Sequence, residues 1–151
     1  MDWAVKPLVG IGDITFGMPP NDVLREMGVS PSRTKNSSNK ERINFDDNLE
    51  RNITFLFQDG ILCELGVAKE NRFASIYGMP VFSDPLRTLE KLKRKVSFVY
   101  EMLGFLIFDE IGITLTGFHD GAIEDQAVTA YASGRWNKII PKAKVWFQSR
   151  S

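Results

Sequence analysis

The chain has 151 residues, and its 19 Lys and Arg balance 19 Asp and Glu, so the formal net charge is zero. That length suits one domain with a core of its own, and a 25% charged, 43% hydrophobic composition argues against wholesale disorder. Neutrality removes the overall positive field on which non-specific binding to nucleic acid or an anionic membrane draws, and a lone cysteine, Cys63, excludes an internal disulfide and a one-chain thiolate cluster.

The first eight residues carry neither a basic leader nor a long apolar run. No window reaches the roughly 18 apolar residues of a membrane span, so the expectation is a cytoplasmic protein with no membrane contact. Residues 8–17 are β-branched and glycine-interrupted, which predicts a short broken strand. After Pro19 and Pro20, the spacing of Val23, Leu24 and Met27 predicts a helix from Asn21, stopped by Gly28. Residues 30–40 are polar with almost no apolar anchor and read as a mobile surface loop. Ile43 and Phe45 begin a strand, and residues 53–57 and 61–67 around Asp59-Gly60 give a strong hairpin signal, because both turn residues tolerate positive φ.

The second half repeats this order. Asp84 caps a helix that opens on Pro85 and sets Leu86, Leu89 and Leu92 on one face through Lys95. Residues 96–102, 105–108, 111–118 and 125–132 read as antiparallel strands, since the connections are too short for parallel crossovers. A basic, aromatic tail from Arg135 to Phe147 starts as a helical turn that Pro141 ends. The expectation is a single α+β domain over 1–151: a two-layer sandwich of a mostly antiparallel sheet with helices on one face, in two helix-plus-meander halves.

Few residues offer catalytic chemistry. His119 is the only histidine, so no His metal cage exists, and beside Asp120 and Gly121 it reads as a solvated turn residue. Cys63, on a predicted strand, reads as buried and inert. Gly10-Ile11-Gly12 does not match a nucleotide-binding G-x-G-x-x-G, and the carboxylate spacings do not match a calcium loop. No cofactor, metal or catalytic set is expected. The run from Lys91 to Lys95 reads as a solvated helix end. The acidic stretch is more suggestive: Asp109, Glu110, Asp120, Glu124 and Asp125 have no Lys or Arg among them. Together with Phe118 as an apolar anchor and His119, they form the candidate surface for a basic protein partner, such as a nuclease.

The segment Val9-Gly10-Ile11-Gly12-Asp13-Ile14-Thr15-Phe16-Gly17-Met18, followed by Asn21 to Gly28, resembles the opening of bacterial proteins of the β-lactamase-inhibitor-protein type of α/β repeat. It is also similar to immunity proteins encoded beside polymorphic or contact-dependent growth inhibition toxins. Residues 53–67 and 104–118 look like the same group. The resemblance implies a cytosolic protein that binds a cognate toxin C-terminal domain and blocks its active site. This chain departs from the strongly acidic character of many nuclease inhibitors of that kind, and no family binding residue transfers. The alternatives are a small ligand-binding or regulatory domain with a pocket between sheet and helices, or an RNA-binding module built from the basic helix end and the aromatic tail; nucleic acid is the less favoured partner.

Overall fold

The computed structural model describes residues 1–46 and 51–149. Its first elements are very short. β1 (Ala4–Lys6), β2 (Gly10–Ile11) and β3 (Ile14–Thr15) form an antiparallel ladder where one broken strand was expected. Gly10 makes the split possible: a Cβ there would run into the carbonyl oxygen of Ile14 across the hairpin. α1 (Pro20–Met27) begins one residue earlier than Asn21, because Pro20 is already set to helical φ. It buries Val23 and Met27 and ends at Gly28 in the left-handed region, whose N–H donates to the Leu24 carbonyl.

β4 (Arg33–Ser37), β5 (Lys40–Phe45), β6 (Ile53–Gln58) and β7 (Ile61–Ala68) form an antiparallel meander. β4 corrects the expected loop over 30–40. It pairs with β5 along its whole length, and it needs no apolar residue because it is a sheet edge with all five side chains exposed. Asp59 and Gly60 both take positive φ, as a tight turn between β6 and β7 requires.

β8 (Ser75–Ile76) and β9 (Met79–Pro80) join the opening strands in a small sheet ordered β3-β2-β1-β8-β9, in which β1 and β8 run parallel. This second sheet was not foreseen. α2 (Pro85–Lys93) is capped as expected, with the Arg87 N–H donating to Asp84 Oδ1 at 3.2 Å. Its buried stripe is Thr88, Leu89 and Leu92, which leaves Leu86 at the flank and 69% exposed.

β10 (Phe98–Met102), β11 (Phe105–Phe108), β12 (Ile113–Thr116) and β13 (Ala127–Tyr131) make a second meander, and β14 (Lys144–Gln148) adds to β10. The large sheet is ordered β14-β10-β11-β12-β13-β7-β6-β5-β4, so the last strands of the two meanders meet antiparallel at its centre. α1 precedes one meander and α2 the other, in the helix-plus-meander order read from the sequence. Period-two alternation sends Ile43, Phe45, Ile53, Phe55, Leu65, Val67, Leu106, Phe108, Ile113, Leu115, Val128 and Ala130 to one face. There they form one buried cluster with Val23, Met27, Leu89 and Leu92 of the helices and Val5, Ile11, Ile14 and Ile76 of the small sheet. Each such side chain contributes about 1.5–3 kcal/mol by leaving water. The result is an α+β sandwich dominated by sheet.

The opposite face is finished by the tail. Four successive antiparallel pairings make β13 and β14 parallel, so residues 132–143 must cross over β12, β11 and β10. Trp136 lies on this outer face, stacked on Tyr131 at 5.1 Å between centroids and 12° between planes, with its Nε1 donating to Glu64 Oε1 at 3.0 Å. The crossing accounts for the burial of Ile107 and Thr114, which point outward. Pro141 therefore does not end the tail's structure. It sits inside a 3₁₀ turn (Ile140–Lys142), and a paired edge strand follows. Among the described residues no helix is long and apolar enough to cross a membrane.

Candidate functional site

The seven residues singled out from the acidic stretch do not make one patch. β12 is four residues long, so its two ends lie about 13 Å apart, and successive antiparallel turns fall at opposite ends of a sheet. Asp109 and Glu110 belong to the β11–β12 turn, whereas Phe118 to Asp125 belong to the β12–β13 loop. Asp109 Oδ1 accepts the Tyr131 hydroxyl at 2.7 Å, and burial together with that bond pushes the phenol far above its ordinary range. Glu110 Oε2 accepts the backbone N–H groups of Ser97 and Phe98, at 2.7 and 3.1 Å, and so anchors the start of β10.

At the other end, Phe118 is buried against Phe82 in the core and offers no anchor to a partner. Asp120 accepts the Ala122 N–H as an ordinary turn residue, Glu124 pairs with Lys69 at 3.2 Å, and Asp125 lies exposed in a 3₁₀ turn. His119 is not a solvated turn residue. Its side chain is only 8% exposed, its Nε2 lies 2.7 Å from Glu101 Oε2, and its ring meets Trp146 edge-on at 5.6 Å. Lys144 Nζ contacts the other Glu101 oxygen at 3.0 Å. His119 and Lys144 together hold the Glu101 carboxyl below its usual range. This trio ties the β12–β13 loop and edge strand β14 to β10.

The basic helix end and aromatic tail do meet, as a seal. Lys93 pairs with Glu90 at 3.2 Å and sits over the rings of Phe147 and Trp146, at 4.5 and 5.8 Å from the centroids, while Lys95 covers Tyr77 at 4.6 Å. Cys63 is the extra residue of a bulge between β6 and β7. Burial pushes its thiol up, and its Sγ donates to the Leu56 carbonyl at 3.4 Å. Among the described residues, no three His, Cys, Asp or Glu side chains are placed to hold a metal ion.

A different set of residues converges on the outer face of β4–β7, beyond the end where Arg135 and Trp136 of the tail reach Gln58 and Glu64. Register aligns Lys35, Arg42, Leu56, Glu64 and Tyr131 in one row across five strands. The next row runs Arg33, Asn44, Thr54, Gly66 and Thr129. Lys40, two residues from Arg42 on β5, shares the same face. Lys35, Ser37, Lys40, Arg42 and Leu56 line a hollow of about 160 Å³. An adjoining hollow of similar volume shares Arg42 and Leu56 and continues past Thr54, Glu64 and Gly66 to Thr129. The result is a shallow trough, cationic at one end and neutral along its floor.

Sequence reasoning missed this trough because its cations fall in the segment read as a loop and in the strand after it. The signal was present: Arg33-x-Lys35-x-Ser37 and Lys40-x-Arg42 both alternate with the period of a strand. The chain matches no protein-family model, no curated protein and no solved structure in comparisons with known proteins.

Proposed function

We propose that this protein works in the cytoplasm by binding rather than by catalysis, as an immunity-type inhibitor that seats a toxin's C-terminal domain on the outer face of β4–β7 and blocks its active site. The observation that carries this reading is the unequal finish of the large sheet: the tail covers β10–β12, whereas β4–β7 present an open trough with exposed Lys35, Lys40 and Arg42. An open, one-sided sheet surface with a partly apolar floor is what a partner protein docks on. The space between sheet and helices is filled by the buried cluster, which leaves little for the small-ligand alternative.

In this reading the charge match is the reverse of the one expected from sequence. The acidic residues are dispersed and largely engaged, while the open face is cationic, so the partner supplies the carboxylates. An active site that works through acidic groups, as in metal-dependent nucleases and glycosidases, presents such a surface.

The test is growth protection. The toxin domain encoded beside this chain would be expressed with wild type, with the Lys35→Glu/Arg42→Glu pair, or with Arg94→Glu on the far side as control. Protection by wild type and the control, lost in the double variant, supports the reading. No protection by wild type discards it, and undiminished protection by the double variant moves the surface elsewhere.

A further inference from the structure

The cations of the trough are held under conditions that the fold itself does not require. Lys35 and Arg42 stand directly opposite one another on β4 and β5, and like charges in that relation destabilise a strand pair. Lys40 adds a third positive charge to the same hollow. The flanking cations are neutralised: Arg33 pairs with Asp46 at 2.6 Å, and Arg135 lies 3.6 Å from Glu64 and donates to Gln58. Lys35, Lys40 and Arg42 form no salt bridge among the described residues. Glu64, the carboxylate of their own row, is occupied by Arg135 and by the Trp136 indole N–H. Three cations without a salt bridge among the described residues therefore surround one hollow, and the carboxylate of their own row is already engaged.

The floor points the same way. Gly66 lies inside a central strand without the positive φ that would demand glycine, and a Cβ there would meet only Thr129 Oγ1, at an ordinary 3.8 Å. Packing does not exclude a side chain, yet glycine weakens a strand, and in such a place it leaves room for another backbone to approach. The two adjoining hollows, each about 160 Å³, form one open trough along the strands rather than an enclosed cavity, so the space suits side chains of an extended peptide. No aromatic side chain faces outward on β4–β7 to stack a base, which disfavours single-stranded nucleic acid.

We infer that the Lys35–Lys40–Arg42 hollow receives a carboxylate from an extended acidic segment of the partner protein, and that the segment's following residues lie over Leu56 and Gly66. The Arg42 guanidinium takes the carboxylate through paired N–H donors, while Lys35 and Lys40 contribute charge. This rests on the binding reading above and adds the chemistry of the partner.

The experiment is an amide NMR titration of the whole chain with a hexaglutamate peptide, and separately with hexauridylate, at low salt. The expected result is peptide-induced shifts confined to Lys35, Lys40, Arg42, Leu56 and Gly66. Arg42→Glu or Lys35→Glu should weaken binding at least about tenfold, and raising the salt should weaken it further. Gly66→Leu should abolish binding while the thermal midpoint does not fall. Absent or scattered shifts, affinity indifferent to both charge reversals, or tighter hexauridylate binding at these residues would each overturn the inference. Growth protection without peptide binding sinks this inference alone, and peptide binding without protection sinks only the inhibitor role.

Discussion

The two meanders have the same construction on the core side and opposite finishes outside. On the outer face of β10–β13, Phe98 and Tyr100 stack on each other, Ile107 and Thr114 are buried, and Tyr131 lies beneath Trp136. On the outer face of β4–β7 the corresponding positions hold Arg33, Lys35, Lys40 and Arg42 around Leu56, and the tail reaches only Gln58 and Glu64 through Arg135 and Trp136. A sheet needs only one buried face for stability. The second meander uses its spare face to hold the tail, and the first leaves most of its spare face open.

Trp136→Ala should break this contrast most sharply. Losing the ring stacked on Tyr131 and the bond to Glu64 is expected to cost about 2–3 kcal/mol in urea unfolding. A cost near zero would mean that the tail does not seal the second meander. The next contrast compares two positions in one cross-strand row, Gly66 and Thr114, which flank Thr129 on either side. Thr114→Leu, under the tail, should destabilise by about 1–3 kcal/mol through overpacking, whereas Gly66→Ala, on the open side, should stabilise by about 0.5–1 kcal/mol. Equal effects of one sign would show that the two faces are not finished differently. The smallest effect concerns the shape of a pH profile. Because the folded Glu101 carboxyl titrates below its ordinary 4.5, its bonds to His119 and Lys144 contribute at neutral pH and are lost as pH falls through that lowered value. Glu101→Gln should therefore lose less of its thermal midpoint than wild type between pH 7 and the region below 4.5, as melting curves across that range would show.

Much of the scaffold was readable because local chemistry and tertiary use agreed. Asp59-Gly60 demanded the β6–β7 hairpin, Asp84-Pro85 demanded the start of α2, and the alternating strands of the second half reappear in order. Where the two diverged, the reading failed for physical reasons. β4 is polar because neither of its faces is buried, so periodicity had no apolar residue to register. β14 owes its existence to β10, 42 or more residues away, and to a crossing that no local pattern announces. The acidic residues are neighbours along the chain, but a four-residue strand between them sends them to opposite ends of the sheet. The trough has the reverse character: Arg42 and Glu64 are 22 residues apart and become neighbours only through the register of three strands.

The seam between β7 and β13 carries a kinetic consequence. Within each meander, partners are close along the chain and can zip up quickly, but Leu65 opposite Ala130 closes a loop of 65 residues. Docking of the halves should then be the slow step, with the tail laid down only afterwards, since β14 needs a finished β10 edge and a surface to cross. Pulse-labelling hydrogen exchange would show this as protection at Tyr131, whose N–H donates to Gly112 within the second meander, arising before protection at Lys69 and Ala132, whose N–H groups donate across the seam to Gln126 and Cys63. Simultaneous protection would mean that the halves assemble as one unit.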